Sequence, residues 1–288
     1  MVALVYASTY NVCFGGKEII AGNASTPHFP YEQHTDYYSR SKALAETLVL
    51  RACGTSSSSG SSAKSGARGK PLPLPLPLQT CVLRPAAIYG EGEMRHFPRI
   101  VSHMDCGLFA FRIGNATVDW VHVTNLAQAF VKVSLQMLRA TDSSSSDGYG
   151  GGRSRSRSRS RSSSIPARTC ACAGKAYSIS DGTPVDSFGF LQPLCEARGI
   201  AYPELVLPVW VAIAVAYMLE TLHVCLRALL GKNLAPPPFL TRAEVYKVGV
   251  SHWFSMREAR RDFGYAPTIT TEEGARRMAD HYRLKKEI

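Results

Sequence analysis

Residues 2–12 read VALVYASTYNV, and this stretch decides the fold that the rest of the sequence implies. Val2 to Ala7 form a short apolar run typical of a buried strand, and the run leads directly into the hydroxyl side chains of Ser8 and Thr9. The carboxyl ends of parallel strands are where open α/β sheets bind ligands. We therefore expect a parallel sheet with a polar site just after residue 7.

Strand and helix patterns alternate after this first strand. The sequence predicts a helix over 39–51, a strand over 80–83, a helix over 96–106, a strand over 117–123, an amphipathic helix over 124–139 and a strand over 176–180. Such alternation favours the α/β class with a parallel sheet. Residues 186–288 differ in character and are mostly helical, so we place a boundary between a sheet-containing part, 1–185, and a helical part, 186–288.

Three low-complexity stretches interrupt this pattern, at 55–66, 71–78 and 143–164. None of them can bury enough apolar surface to offset its ordering entropy, so we expect disordered insertions at about 53–78 and 141–168. The Arg-Ser repeat in the last stretch is also compatible with an RNA-associated protein. Because it lies between two well-patterned segments, we interpret it as an insertion.

The chain has 33 Lys and Arg against 22 Asp and Glu, a formal charge of +11. Residues 51–70 carry +4 of this and residues 139–168 carry +5, which leaves +2 for everything else. The patterned part is therefore near neutral, and we expect no nucleic-acid partner.

Eight cysteines are scattered without a CxxC pair, and no Cys or His spacing would build a zinc or other metal site. We interpret them as reduced thiols of an intracellular protein. The sequence shows no secretory leader, because the apolar run begins directly after Met1.

The fifteen residues 205–219 carry no charged side chain. A bilayer span needs about 20 apolar residues, so a core or substrate-pocket helix is the favoured interpretation. A monotopic membrane contact through 205–230 and a true span are the two alternatives. The protein is accordingly expected in the cytoplasm or at the endoplasmic reticulum membrane.

The stretch DYYSRSK at 36–42 places Tyr38 and Lys42 four residues apart at the start of a helix, so their side chains share one face. A phenol is a poor acid or base near neutral pH, but an ammonium one turn away favours its ionised form. Tyr37 has Ser41 at the same spacing, so Tyr38 gains the cation. The pair indicates general acid–base chemistry, although two ordinary exposed side chains would show the same spacing.

Longer motifs carry a more specific signal: STYNVCFGGKEI (8–19), YYSRSKALAE (37–46), LRPAAIYGEGEMRHFPRIV (83–101), VDWVHVTNLAQA (118–129), YSISDGTPV (177–185) and PFLTRAEVYKVGVSHWFSMREARRDFGY (238–265). Together they resemble the extended short-chain dehydrogenase/reductases, and within these the 3β-hydroxysteroid dehydrogenase/isomerase family, most closely its subgroup 42E. The resemblance implies a partial, C-terminal half of a Rossmann-like parallel sheet over 1–185 and a substrate-binding region over 186–288.

The resemblance also implies roles for individual residues. Tyr38 matches the general acid–base residue, Lys42 the cation that tunes it and contacts the nicotinamide ribose, and Thr9 the hydroxyl that binds the substrate oxygen. Pro85 and Ile88 lie where the family packs a loop against the nicotinamide, although a plain turn after a strand explains them equally well. The implied cofactor is NAD or NADP, and the implied substrate is a 3β-hydroxysteroid or sterol-like molecule of steroid biosynthesis.

One departure from the family concerns the glycine-rich strand-to-helix turn that binds the pyrophosphate. No such pattern occurs here: Gly15-Gly16 and Gly148–Gly152 lack a suitable following helix. On the layout of the family, Met1 coincides with the fifth strand of the sheet. We therefore interpret the chain as an N-terminally truncated member.

Two functional hypotheses stay open from the sequence. The first is an NAD(P)-dependent oxidoreductase acting on a secondary 3β-hydroxyl, with sterol-4-carboxylate dehydrogenases and carbonyl reductases as related alternatives that share the Tyr/Lys pair. The second is a catalytically inactive remnant.

Overall fold

The computed structural model describes residues 2–54, 78–142, 170–231 and 238–284. The two predicted insertions, at about 53–78 and 141–168, lie largely outside these ranges. The expectation of disorder there therefore stays a prediction, and the RNA-associated alternative for the Arg-Ser repeat stays untested.

The described elements alternate as the sequence predicts. The strands are β1 (Val2–Ala7), β2 (Ile19–Gly22), β3 (Leu78–Pro85), β4 (Ala87–Tyr89), β5 (Arg112–Ile113), β6 (Thr117–Val118), β7 (Trp120–His122), β8 (Lys175–Ile179), β9 (Val185–Asp186), β10 (Val206–Leu207) and β11 (His252–Phe254). The helices are α1 (Tyr37–Arg51), α2 (Phe97–Asp105), α3 (Val123–Asp142), α4 (Gln192–Arg198), α5 (Val209–Leu230), α6 (Arg242–Gly249), α7 (Arg257–Phe263) and α8 (Thr271–Leu284).

The central sheet has the order β1-β3-β8, with every pairing parallel. Val2 lies opposite Leu78 and Ala7 opposite Leu83, so β3 extends two residues beyond the end of β1. Helices α1 and α3 pack on this sheet, and α7 packs on β8. The α/β class with a parallel sheet is confirmed.

Three smaller sheets surround it. They have the orders β2-β11-β6-β9, β4-β7 and β10-β5, with β6-β9 as the antiparallel pairing. The predicted strand 117–123 is divided in two, because Val118 pairs with His252 while Trp120–His122 pair with β4. Helices α4 and α8 pack together with Tyr89 and Phe97 in a second core cluster. The boundary placed at residue 185 stays a prediction.

Strand β1 forms one edge of the central sheet within the described chain. Its side chains are poorly covered: Val2 is 58% exposed and Leu4 is 41% exposed. An apolar edge strand with unpaired backbone groups is a template for further strand pairing.

Helix α5 corrects the favoured interpretation of residues 205–219. The uncharged stretch begins in the short strand β10 and Pro208, and the helix then continues past Glu220 to Leu230. It is long and apolar enough to cross a membrane, yet only 11% of its most apolar part is buried. The core-helix interpretation is wrong, because Ala212 and Ala216 are the only buried residues among those described on this helix. The substrate-pocket interpretation stays a prediction.

A glycine inside α8 provides a test of the second core cluster. Gly274 lies beneath the buried ring of Tyr89, and a Cβ on it would lie 2.8 Å from Tyr89 Cε2, far inside contact distance. In an open helix, replacing glycine by alanine stabilises by about 1 kcal/mol. Here we expect Gly274→Ala to lower the free energy of unfolding by about 1–3 kcal/mol because of overpacking.

Urea denaturation monitored by circular dichroism measures this change. In a Tyr89→Leu background, which withdraws the ring, the same substitution should become neutral or stabilising. An equal loss in both backgrounds would contradict the proposed steric cause.

Candidate active site

Thr9 lies two residues beyond the end of β1 and is 6% exposed. Its Oγ1 accepts a hydrogen bond from Asn11 N at 3.3 Å and so caps the short 3-10 helix Tyr10–Val12. Accepting this bond leaves the Thr9 hydroxyl proton free to be donated to a ligand. Ser8 differs, because its hydroxyl donates to Glu46.

Helix α1 begins two residues before the predicted start at Ser39. Asp36 caps it, since Asp36 Oδ1 accepts from Ser39 N at 2.6 Å, and Tyr38 therefore lies in the first turn. The ring of Tyr38 is 45% exposed, whereas the neighbouring Tyr37 is 89% exposed. Helix α1 packs on the 3-10 helix that follows Thr9, so both hydroxyl residues lie at the same end of β1.

Lys42 reaches back to the end of the sheet. Its Nζ donates to the carbonyl of Ala7, the last residue of β1, and lies 4.5 Å from the centre of the Tyr6 ring. No carboxylate pairs with Lys42 among the residues that the structure describes. Its charge is therefore available to a neighbouring phenolate.

Pro85 and Ile88 lie in the adjoining strands. Pro85 is the last residue of β3 and is buried, while Ile88 lies in β4 with 41% of its surface exposed. The structure thus places the five predicted site residues at the carboxyl edge of the central sheet and the adjoining β4. The convergence of the Thr9 and Tyr38 hydroxyls on one substrate oxygen stays a prediction.

A buried carboxylate that the sequence analysis missed supports this edge. Glu46 is 0% exposed and accepts from Arg84 Nε at 2.9 Å, from the Arg84 NH2 nitrogen at 2.6 Å and from His28 Nε2 at 2.9 Å, in addition to Ser8. Burial alone would raise the pKa of Glu46, but the hydrogen bonds from His28, Arg84 and Ser8 and the charge of Arg84 outweigh burial and lower it to about 2.

A second buried acid connects the neighbouring strands. Asp181 accepts from Tyr89 Oη at 2.7 Å, from His122 N at 2.9 Å and from Asn125 Nδ2 at 2.7 Å. Burial raises the pKa of Asp181, while the bonds from Asn125, His122 and Tyr89 act in the opposite direction. The resulting network ties β4, β7 and the loop after β8 into one unit.

One signal in the sequence could have revealed Glu46. It follows Tyr38 and Lys42 at the same four-residue spacing, on a helix whose surroundings read ALAETLVL. A single acid in an apolar stretch indicates a buried charge that needs a cation. The identity of that cation, Arg84, depends on contacts 38 residues apart along the chain.

Removing this charge tests how far the site depends on it. Glu46→Gln leaves the Arg84 guanidinium buried without its counter-ion, so we expect a loss of about 3–5 kcal/mol in the free energy of unfolding. The double variant Glu46→Gln/Arg84→Met removes both charges and should be less destabilised than the sum of the two single variants. Additive losses in chemical denaturation would contradict the pairing.

The Glu46–Arg84 pair also makes the stability of the fold depend on pH. The pKa of Glu46 is about 2 in the folded protein, below its ordinary value of 4.5, so ionised Glu46 stabilises the fold fully above about pH 4.5. This contribution falls as the pH is lowered and is lost through about pH 2. The stability difference between the wild type and Glu46→Gln should therefore shrink on acidification, as measured by thermal unfolding at a series of pH values.

Comparison with known proteins identifies the family that this chain resembles. The sequence model of the 3-beta hydroxysteroid dehydrogenase/isomerase family matches residues 1–149. Short-chain dehydrogenase/reductase family 42E member 1 of Danio rerio is 39% identical over 268 residues, which are 92% of this chain and 58% of that protein. The 3beta-hydroxysteroid-dehydrogenase/decarboxylase isoform 2 of Arabidopsis thaliana is 26% identical over 281 residues, 97% of this chain and 41% of that protein.

Solved structures share the fold at low identity. The dTDP-glucose 4,6-dehydratase of Bacillus anthracis, solved in complex with NAD, matches with a TM-score of 0.53 and 16% identity, covering 99% of this chain and 63% of that one. The chain spans little more than half the length of the 42E relative. Because the family model covers more than half of its residues, this chain belongs to the 3-beta hydroxysteroid dehydrogenase/isomerase family.

Proposed function

We propose that this chain carries the proton-transfer site of an NAD(P)-dependent oxidoreductase that acts on the secondary 3β-hydroxyl of a steroid or sterol-like substrate. The observation that carries the proposal is the position of Lys42. Its ammonium is held at the carbonyl of Ala7, one helical turn after Tyr38 and beside the buried Thr9.

Tyr38, Thr9 and Lys42 have separate roles in the proposed reaction. Tyr38 takes the hydroxyl proton during oxidation and returns it during reduction, while Thr9 donates a hydrogen bond that orients the same oxygen. Lys42 stabilises the phenolate form of Tyr38 by its charge. The nicotinamide, when bound, supplies or accepts the hydride.

The described residues fit one end of this cofactor. Tyr38 and Ile88 are both partly exposed at the sheet edge and offer a polar and an apolar contact for a nicotinamide riboside. Among the described residues, the glycines near this edge do not form a cradle for the pyrophosphate. A Cβ on Gly15 would strike the Phe29 ring and one on Gly16 the Tyr246 ring, so these glycines lie beneath aromatic side chains.

Two alternatives follow from specific observations. A catalytically inactive form, the second hypothesis from the sequence, is compatible with the position of Gly15 and Gly16 beneath aromatic side chains. The name of the Arabidopsis relative couples dehydrogenation to decarboxylation, which favours a sterol-4-carboxylate as substrate. Either alternative retains the same Tyr38/Lys42 geometry.

Adjacent tyrosines allow a matched test of the acid–base assignment. With millimolar NAD(P)⁺ and a 3β-hydroxysteroid, Tyr38→Phe should lower kcat by about 100-fold or more, because it removes the group that accepts the proton. Tyr37→Phe should retain wild-type turnover, since Tyr37 points into solvent. Cofactor reduction followed at its absorbance band measures both, and equal rates in the two variants would refute the role of Tyr38.

Cofactor affinity distinguishes the active and inactive forms. We expect this chain to bind NAD⁺ no more than about 3-fold tighter than nicotinamide mononucleotide in calorimetric titration, because only the nicotinamide end finds contacts. Dinucleotide binding at micromolar concentration, well beyond that of the mononucleotide, would show that a pyrophosphate site exists. Absence of turnover at saturating cofactor would favour the inactive form.

We also propose that helix α5 lies on a membrane surface as a monotopic contact. Its 22 residues extend about 33 Å and expose large apolar side chains, among them Trp210, Met218 and Leu222. A full span is disfavoured because Glu220 is paired with Arg242 of α6 at 2.7 Å, which keeps this side of the helix against the protein. The lipid-facing side is then the one that carries the exposed apolar residues.

Vesicle binding tests this contact. Met218→Glu/Leu222→Glu should lower partitioning onto phosphatidylcholine vesicles by about 10-fold or more, since each apolar side chain contributes about 1.5–3 kcal/mol when buried. Leu48→Glu is the control, because Leu48 is 67% exposed on α1 instead. Equal sedimentation of all three proteins with vesicles would contradict the assignment.

A further inference from the structure

A cavity of about 380 Å³ takes no part in the chemistry proposed above. It lies between β2, β11, α7 and the loop after β8, and β8 forms the edge of the central sheet opposite β1. None of Thr9, Tyr38 and Lys42 lines it. Its volume falls within the range of small-molecule sites, about 300–1,000 Å³. The residues that line it include Ala21, Asp119, Pro184, Trp253, Arg257 and Arg260.

A β-bulge in β2 forms part of the cavity wall. Three residue steps along β2, from Ile19 to Gly22, oppose two steps along β11, so β2 has one extra residue here. Ala21 lies in this bulge with a φ of +52°, a conformation that a residue with a Cβ rarely adopts. Such strain persists only where the surrounding structure holds it, and strained residues and bulges both cluster at ligand sites.

Two arginines of α7 also line the cavity. Arg257 and Arg260 are three residues apart, so their side chains share one face of the helix. The Arg260 guanidinium lies over Gly182, since a Cβ on that glycine would lie 3.2 Å from the Arg260 NH2 nitrogen. Within the described ranges, no carboxylate lies in ion-pair distance of either arginine.

The acid that lines the cavity does not neutralise these two cations. Asp119 is 4% exposed, and its Oδ2 accepts from Phe254 N at 2.7 Å. Burial raises the pKa of Asp119 to about 7, although the bond from Phe254 acts in the opposite direction. A large fraction of Asp119 is therefore uncharged at neutral pH, and the cavity has an excess of positive charge.

This combination of charge and apolar surface selects a class of ligand. Two guanidiniums on one helix face match the two negative charges and the several oxygens of a phosphomonoester. A carboxylate carries one charge and would leave one guanidinium without a partner. Pro184 and Trp253 offer apolar surface to the group that carries the phosphate, and an indole packs well against a planar ring.

We propose that this cavity is a second ligand site, which binds a phosphomonoester with a planar apolar body. The site is separate from the residues at the end of β1, and it does not depend on the proposed function of Tyr38.

Phenyl phosphate, phenol and inorganic phosphate separate the two parts of the ligand. In calorimetric titration of the full chain without cofactor, phenyl phosphate should bind at least about 10-fold more tightly than either of the others. Trp253→Leu should reduce its advantage over inorganic phosphate and leave binding of inorganic phosphate within about 2-fold. Equal affinity of the wild type for phenyl phosphate and inorganic phosphate would overturn the proposal, because it indicates an adventitious ion only.

Arginine variants locate the bound anion. Arg257→Gln/Arg260→Gln should weaken binding of phenyl phosphate about 10-fold or more, because charge-assisted hydrogen bonds are lost. Arg40→Gln/Arg51→Gln removes the same total charge from exposed positions of α1 and should retain the wild-type affinity. Thermal unfolding should be unchanged in both, since all four arginines are exposed. Equal losses of affinity in the two double variants would refute the site, because they would reflect net charge alone.

The cation beside Tyr38 provides the last control. Lys42→Gln should leave the affinity for phenyl phosphate within about 2-fold, since Lys42 does not line the cavity and distant charges are screened. If Lys42→Gln weakens binding while Arg257→Gln/Arg260→Gln does not, the phosphate binds at the end of β1. That result would overturn the second site.

Discussion

The carboxylate of Glu46 is the constraint on which the site depends. A charge without solvent contact is tolerated only if donors surround it, and here the donors come from different parts of the chain: Ser8 after β1, Arg84 in β3 and His28 in the connection between them. All of them must be in place at once. The relative positions of β1, α1 and β3 are therefore fixed at the level where these strands end.

This arrangement also determines the charge near Tyr38. Lys42 and Glu46 are four residues apart, the spacing at which an ion pair forms readily on a helix. Glu46 instead pairs with Arg84, and Lys42 contacts the neutral carbonyl of Ala7. Since its charge is not cancelled by a carboxylate, Lys42 can act on the phenol one turn away. The buried pair thus preserves the electrostatic property that the proposed acid–base chemistry requires.

Local patterns were sufficient to predict most elements. The apolar run of β1, the periodicity of α1 and the alternation of strands with helices depend on neighbouring residues, and each appears in the structure close to its predicted bounds. The partners of Glu46 and Asp181 could not be predicted in this way, because they join residues far apart in sequence. The environment of α5 was predicted incorrectly for another reason. An apolar helix suits a protein core and a lipid surface equally well, so composition does not distinguish the two environments.

The position of the site at an edge strand has a further physical consequence. Tyr38, Lys42 and Thr9 surround the end of β1, whose outer side has no strand partner within the described chain. The same side exposes Val2 and Leu4. A polypeptide segment that paired with β1 would cover these side chains and satisfy the unpaired backbone groups.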